Sequence, residues 1–373
     1  MNSAASKSAP PTPPTGPFAA WTRFWFAPAD PIALGALRVL GGLLFLFWLL
    51  PFAGRLDALF GLNGWFDARA YHQASHLQGV PPHMFSWSIL YLCGTSSVAL
   101  TAVYWLSMAM LILFTLGLWT RVTGLLTYVI VVSFTANPAV SYDADALLVM
   151  LAFYLMLGHL FLGLRRPGQP WAERILGPKE TWLFDRRGDA DSAPAPSLSA
   201  NLAVRLLQVH FAIAMLAGGL LKLQGPEWWS GVAPWFYLHP PLQASEEQMQ
   251  SILAYAETYR GILSLIAYAA TAWQIAFPAF AWRRRWRPLL LGGAALAWLT
   301  DACFFGLPLL GPIMVMGCLS YLVPEEWRRL ATLLGRLPGL RRLQHREAAA
   351  PPARGREARN GTESAAMTGG QVR

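Results

Sequence analysis

A single lysine near the end of a long apolar stretch is the residue of this sequence best suited to proton transfer. The stretch covers residues 202–223, Lys222 lies near its end, and the pair Trp228–Trp229 follows shortly after. Burial in a low-dielectric pocket disfavours the charged form of an amine, so an enclosed lysine can act as a base near neutral pH. A neighbouring carboxylate opposes this effect and can orient the ammonium. The sequence does not decide which of the two effects dominates.

Three aspartates are candidate partners of this lysine because they flank other apolar stretches. Asp143 and Asp145 open one of these stretches, and Asp301 lies near the end of another. We predict a catalytic group with Lys222 as the base, Asp145 and Asp301 orienting it or relaying protons, and Asp143 as polar support. In the alternative interpretation Lys222 extends to the lipid headgroups, and the acids cap helices, whose N-termini favour carboxylates.

Three more polar residues are candidates for support of the same site. Tyr142 directly precedes Asp143. Arg38 falls within the first two turns of its apolar stretch, where it either extends to the near membrane face or forms an internal ion pair. His210 lies in the middle of its stretch, where a polar residue hydrogen-bonds across helices or transfers a proton. No metal site is predicted, and no nucleotide-binding or hydrolase motif is found.

The composition indicates a membrane protein. The chain has 373 residues, of which 55% are hydrophobic and 13% charged, whereas about a quarter of the residues of a soluble domain are charged. The apolar runs are continuous and of helical length, so the strand alternation of a membrane β-barrel is absent. The net charge of +9 comes from basic residues beside the apolar runs, as in topology signals. We therefore predict the lipid bilayer as a partner and no nucleic acid.

The fold class predicted is all-α, a polytopic bundle of about eight transmembrane helices with both termini in the cytoplasm. The eight spans are expected at residues 32–52, 97–118, 122–135, 145–164, 202–223, 262–282, 289–305 and 309–323. Cytoplasmic loops carry an excess of lysine and arginine, and these spans place the basic loops on one side. The same topology places Lys222 and the three aspartates near the external face of the plasma membrane.

The domain organisation expected is one membrane domain between two tails. Residues 1–20, which include the run PPTPP, and the basic residues 331–373 are expected to be largely disordered. The membrane domain, residues 21–330, begins with the interfacial segment WTRFWF. It contains a cytoplasmic loop at 165–200 and an external segment at 225–260. Within that segment, Ser245 to Gln248 has the pattern of a capping box, which predicts a helix along the interface that is separate from the next span.

Several segments resemble the HTTM (horizontally transferred transmembrane) family, bacterial membrane relatives of vitamin K-dependent gamma-carboxylase. They are LGALRVLGGLLF around Arg38, LGLWTR ending at Arg121, DALLVMLAFYL after Asp145, AGGLLKLQGPEWWSG around Lys222 and PEEWRRL near the end of the membrane part. The resemblance extends over about residues 21–330. The order and spacing of the segments carry it, since no single motif is decisive.

This resemblance implies a role for the lysine. In the carboxylase, the lysine of the corresponding segment deprotonates vitamin K hydroquinone, which implies Lys222 as the base and a quinone-like or lipid ligand here. The chain departs from the family where it has Asp301 in place of a seventh-span histidine, and Tyr142, Asp143 and Asp145 at the start of the fourth span. Carboxylation of protein glutamate is not expected, because the sequence stops soon after the membrane part and a luminal domain is missing.

Two functions of different classes follow from these observations. The first is an HTTM-like integral membrane protein, with carboxylase- or epoxidase-like chemistry as the candidate activity. Its pocket would face the external side, between the fourth, fifth and seventh spans, and would admit a hydrophobic small molecule from the bilayer. The second is a non-enzymatic membrane partner or maturation factor for a secreted peptide, which would depend on the external loops and tolerate changes at Lys222.

Overall fold

The computed structural model shows an all-helical chain. It describes residues 16–67, 69–70, 73, 87–93, 96–137, 140, 143–162, 175–177, 195–238, 245–304 and 309–334. Within these ranges the backbone forms helices and no β-strand, apart from one isolated antiparallel bridge between Ala29 and Ser197. The predicted all-α class is confirmed.

The helices of the described ranges differ widely in length, from four residues to 35. In chain order they are α1 (Pro17–Phe26), α2 (Ile32–Leu49), α3 (Leu56–Phe60), α4 (Leu90–Cys93), α5 (Ser97–Leu116), α6 (Thr120–Thr135), α7 (Asp143–Phe161), α8 (Leu198–Lys222), α9 (Pro226–Trp229), α10 (Ala233–Leu238), α11 (Glu246–Phe280), α12 (Arg287–Phe304), α13 (Leu310–Leu319) and α14 (Pro324–Leu334).

Within the described ranges, five segments are long and apolar enough to cross a membrane. They are Ile32–Phe52, Ser97–Leu116, Ala144–Phe161, Leu198–Lys222 and Tyr259–Phe280. Two shorter apolar helices, Thr120–Thr135 and Leu310–Leu319, accompany them. A hydrocarbon core of about 30 Å requires about 20 helical residues, so the chain is a helical membrane protein, as its composition predicts.

The helix predicted to begin at the capping box and the next span form one continuous helix, which differs from the separate helices predicted. The helix α11 runs for 35 residues from Glu246 to Phe280. The predicted capping box is confirmed, because the Gln248 backbone N–H donates to Ser245 Oγ at 3.3 Å and the Ser245 N–H donates to Gln248 Oε1 at 3.0 Å. Only Gly261 interrupts the pattern at the expected break, and one glycine costs a helix about 1 kcal/mol, too little to end it.

Two arginines are buried against the ends of other helices. Arg38 on α2 is fully buried, and its Nη1 donates to the Phe114 carbonyl at 2.8 Å near the end of α5. Arg121 at the start of α6 is 5% exposed, and its Nη2 donates to the Leu162 carbonyl at 2.8 Å just after α7. The last carbonyls of a helix lack intrahelical donors, and cations are favoured there. This burial does not fit the interpretation in which Arg38 extends to the membrane face, and the alternative of an internal ion pair stays a prediction.

A hydrophobic core joins the second half of the bundle. The rings of Phe211 and Phe277 meet edge to face at 5.3 Å between centroids, and Tyr321 contacts Phe277 at 5.5 Å. The Tyr321 hydroxyl donates to the Gln208 carbonyl at 2.6 Å, and Gln208 Nε2 donates to the Ser320 carbonyl at 2.7 Å. This core fixes α8 against α11 and the end of α13, and α8 carries the candidate base.

The chain divides into two compact units at the end of the bundle. The first, Met1–Pro324, holds the helices α1 to α13, and the second, Glu325–Arg373, begins within α14. Glu325 and Glu326 lie in the first turn of α14, where the helix dipole favours carboxylates. All site residues discussed below lie in the first unit.

Candidate functional site

Two glycines bring the end of α8 close to α11. A Cβ placed on Gly219 would lie 2.8 Å from Ile275 Cγ1 and 3.1 Å from the Ile275 backbone nitrogen, so the two helices touch here without room for a side chain. Gly218 faces the Gln274 carboxamide, with its notional Cβ 3.3 Å from Oε1. Small residues at a membrane-helix interface allow such close packing of the two backbones. This contact, one helical turn away, holds Lys222, the last residue of α8, beside α11.

The turn after α8 folds back over the lysine. Backbone hydrogen bonds run from the Gly225 N–H to the Lys222 carbonyl at 3.3 Å and from the Trp228 N–H to the Gly225 carbonyl at 3.1 Å. The Lys222 ammonium consequently lies 4.6 Å from the centroid of the Trp228 ring. A cation over the face of tryptophan gains about 0.5–2 kcal/mol, the upper value applying where both are shielded from water.

The same turn is anchored to α11. The Tyr268 hydroxyl donates to the Trp229 carbonyl at 2.5 Å, and Trp229 Nε1 donates to the Leu223 carbonyl at 2.6 Å. Gly231, at a φ of 77°, packs directly against Ser264, where a Cβ has no room. The ring over the lysine is thus held by contacts with the backbone and with α11.

Asp301 is the acid that the structure brings to Lys222. It lies on α12, is half-buried, and interacts electrostatically with the Lys222 ammonium. We call Lys222, Trp228 and Asp301 the Lys222 cluster. Both neighbours favour the ammonium form, whereas partial burial disfavours it. Burial and these two neighbours therefore act in opposite directions on the charge of Lys222.

Asp145 lies in the first turn of α7, at the same end of the bundle as Lys222, but it is not part of the Lys222 cluster. It is buried, with 6% of its surface exposed. The helices α7 and α8 run antiparallel, since Gly158 packs against Ala203, and this packing places Asp145 near the Lys222 end of the bundle. The side chain of Asp143 and the whole of Tyr142 lie outside the described residues.

The other two predicted support residues lie away from the cluster. His210 is exposed on the outer face of α8, where its Nδ1 shares a hydrogen bond of 2.7 Å with the Tyr154 hydroxyl. That contact is an interhelical hydrogen bond, as one of the two interpretations of His210 expects. Arg38 is at the opposite end of the bundle, because its partner Phe114 contacts His159 near the end of α7.

Gln274 is a polar residue beside the cluster that the sequence reasoning missed. Its carboxamide Oε1 is buried and accepts no hydrogen bond from the described residues, and it faces Gly218, one helical turn before Lys222. A buried acceptor without a donor costs about 1–3 kcal/mol, so such a group is expected to serve a ligand, a water or a packing role. The sequence signal that could have identified Gln274 is that it is the single side-chain amide within the apolar span 262–282.

The described residues give no indication of a metal centre. No three histidine, cysteine, aspartate or glutamate side chains among them could hold a metal ion together. His72 and His76, two histidines four residues apart between the first two predicted spans, lie outside the described residues. Comparison of the chain with protein-family models, with curated proteins and with solved structures finds no match.

Proposed function

We propose that this chain is an HTTM-type integral membrane protein that binds a hydrophobic, quinone-like molecule at its outer end, with Lys222 as the base. The observation that carries this proposal is the Lys222 cluster. At the end of a membrane helix an amine lies over an aromatic ring there, and a carboxylate on α12 interacts with that amine electrostatically. Ionisable residues inside membrane helices are costly and are retained mainly for function. The ordered motifs shared with the HTTM family agree with this assignment.

The proposed topology has eight spans and both termini in the cytoplasm. The helices α6, α12 and α13 would complete the five long spans, and the membrane would be the plasma membrane. Exposed arginines Arg283, Arg284 and Arg285 follow α11 and mark the cytoplasmic side in this arrangement. Lys222, Asp145 and Asp301 would then face the external side.

The chemistry proposed is removal of a proton from a hydroquinone hydroxyl. The neutral amine of Lys222 takes the proton from the O–H group, giving a hydroquinone anion and an ammonium. Asp301 and the Trp228 ring stabilise the ammonium, and the Gln274 carboxamide oxygen accepts a hydrogen bond from the second hydroxyl. General-base catalysis by a positioned side chain contributes about 100- to 10,000-fold to a rate. Asp145 is proposed to relay the proton onward.

Binding of 2-methyl-1,4-naphthohydroquinone to the purified full chain in lipid nanodiscs tests this function. We expect the wild-type protein to bind it and to shift its near-ultraviolet spectrum to that of the anion. Lys222→Ala should weaken binding about tenfold, the usual scale for one lost hydrogen bond to a charged group. Lys222→Arg should keep binding without the spectral shift, because a guanidinium does not give up its proton.

A matched control is Arg260→Ala, which removes an exposed cation from the outer part of α11. It should leave both the affinity and the spectrum unchanged. Retention of wild-type binding and spectrum in both Lys222 variants would end the proposal that this residue is the base.

A second candidate function is that of a non-enzymatic partner for a secreted peptide. Trp65 and Trp229, which are 77% and 60% exposed, favour it because they present large aromatic surfaces outside the core. Aromatic residues also anchor membrane proteins at the interface. Co-purification of a bound peptide that is lost in Trp65→Ala and Trp229→Ala, and is kept in Lys222→Ala, would select this alternative.

A further inference from the structure

A separate cavity lies at the end of the bundle opposite the Lys222 cluster. Its volume is about 360 Å³, and its lining includes Phe24, Asn201, Arg205, Gln208 and Trp282. Arg205 and Lys222 are 17 residues apart on α8, which corresponds to about 25 Å along the helix. We call this space the Arg205 cavity. It is distinct from the proposed quinone site.

Arg205 presents a positive charge to the cavity in a fixed position. Its Nη1 donates to Gln208 Oε1 at 2.9 Å, and its guanidinium carbon lies 4.5 Å from the Phe24 ring centroid. The arrangement is rigid because Gln208 is only 5% exposed and is itself held by Ser320. No carboxylate among the described residues pairs with Arg205. A guanidinium has five N–H groups, so donors remain for a ligand.

The remaining charges on the lining favour an anion. Arg287, the first residue of α12, adds a second cation. Asp30 is the one acid on the lining, and its Oδ1 accepts the Ile32 backbone N–H at 2.9 Å at the start of α2. The N-terminal turn of α8 also borders the cavity at Asn201, and helix N-termini favour negative charge. The two arginines on the lining thus outnumber its one aspartate, whose Oδ1 already accepts a hydrogen bond.

The walls of the cavity are apolar and include the interfacial helix. Asn201 Nδ2 donates to the Phe24 and Trp25 carbonyls, both at 3.0 Å, which ties α1 to α8. The ring of Phe24 contacts that of Trp282 at 6.5 Å between centroids. Ligand cavities usually hold about 300–1,000 Å³ and combine apolar walls with a few placed polar groups. This volume suits a lipid headgroup better than a whole lipid.

We propose that the Arg205 cavity binds a phosphate-bearing anionic headgroup, with the Arg205 guanidinium as its charge partner. Arginine matches phosphate through parallel N–H donors. The aromatic and aliphatic walls favour a membrane phospholipid, whose acyl chains would leave the cavity toward the bilayer. A soluble phosphate ester has the same recognition chemistry without the chains.

Binding to the full chain in a neutral detergent tests the proposal and separates the two sources. The probes are dioctanoyl phosphatidylglycerol, dioctanoyl phosphatidylcholine and glycerol 3-phosphate, with native mass spectrometry as the readout. We expect phosphatidylglycerol to bind more tightly than phosphatidylcholine, because its headgroup carries a net negative charge for Arg205, whereas the choline cation cancels that of phosphatidylcholine. Arg205→Gln should weaken phosphatidylglycerol about tenfold or more. Arg284→Gln, which removes an exposed charge near the same end of the bundle, should stay within about twofold, since exposed charges are screened.

The outcomes are distinguishable even if Arg205→Gln folds poorly. Arg205→Lys keeps the charge but loses the planar fork, so it should fold and bind with intermediate affinity. Comparable, Arg205-dependent binding of glycerol 3-phosphate would support the same site with a soluble source. Equal binding of phosphatidylcholine and phosphatidylglycerol, or unchanged phosphatidylglycerol affinity in a folded Arg205 variant, would overturn the proposal. None of these results depends on Lys222.

Discussion

Replacing Gly219 by alanine should separate α8 from α11 and weaken the fold. The added Cβ would lie 3.1 Å from the Ile275 backbone nitrogen and 2.8 Å from Ile275 Cγ1, both closer than ordinary van der Waals contact. The side chain of Ile275 can rotate, but its backbone nitrogen moves only with the helix. The two helices must therefore move apart by a few tenths of an ångström. Overpacking of this kind costs about 1–3 kcal/mol.

Gly218→Ala is the matched control, because it adds the same methyl group one residue earlier. Its Cβ would lie 3.3 Å from Gln274 Oε1, which is the movable end of a side chain. Alanine also gains about 1 kcal/mol of helix propensity over glycine, and this gain is common to both variants. The difference between them therefore isolates the packing term, and we expect Gly219→Ala to be less stable by about 1–3 kcal/mol.

The assay is reversible unfolding in mixed detergent micelles, followed by tryptophan fluorescence. A second readout is amine labelling, because the sequence has only three lysines, Lys7, Lys179 and Lys222. Movement of α8 should change the labelling rate of Lys222 relative to the other two. Equal stability of the two alanine variants would refute the conclusion that backbone contact at Gly219 sets the spacing of these helices.

Three more predictions concern the frame of the bundle. Arg38→Met should lower the free energy of unfolding by about 2 kcal/mol, because it removes a hydrogen bond from a charged group to a helix end. The control Arg55→Met replaces an exposed arginine and should change this free energy little. No difference between these two variants would contradict a structural role for Arg38. Ser245→Ala should speed amide exchange in the first turn of α11, in keeping with a loss of about 1 kcal/mol for an N-cap; unchanged exchange would contradict the cap. In a cysteine-free background, Ser245→Cys should react with an impermeant maleimide in intact cells and Arg284→Cys only after permeabilisation. The reverse pattern would overturn the proposed orientation.

The architecture was largely accessible from the sequence because apolar run length and capping patterns are local properties. The runs at 32–52, 97–118 and 202–223 predicted helices that the structure contains, within a few residues. The Ser245 capping box also marked the start of α11 correctly. The continuity of α11 was not predicted, because a helix along the interface and a membrane span were expected as two separate elements. A helix continues across such a boundary where its backbone meets no strong breaker.

The contacts made by the buried charged residues could not be predicted from the sequence in the same way. Position along a helix gives depth in the membrane, and depth placed Asp145 and Asp301 equally near Lys222. Which acid interacts with the lysine depends on the rotation of each helix about its axis and on which helices are neighbours. The interaction with Asp301 rests on the packing of α12, and the destination of Arg38 rests on where α5 ends. Neither is encoded in a short stretch of sequence.

The length of α11 has a consequence for the outer end of the protein. Thirty-five residues span about 52 Å, well beyond a hydrocarbon core of about 30 Å, so a substantial part of α11 stands outside the bilayer. The turn carrying Trp228 is fastened to this helix through Tyr268 and Ser264. Both anchors lie within the apolar segment Tyr259–Phe280. The shielding of the amine by the indole therefore depends on where this part of α11 lies, because the turn that carries the indole has its attachments there.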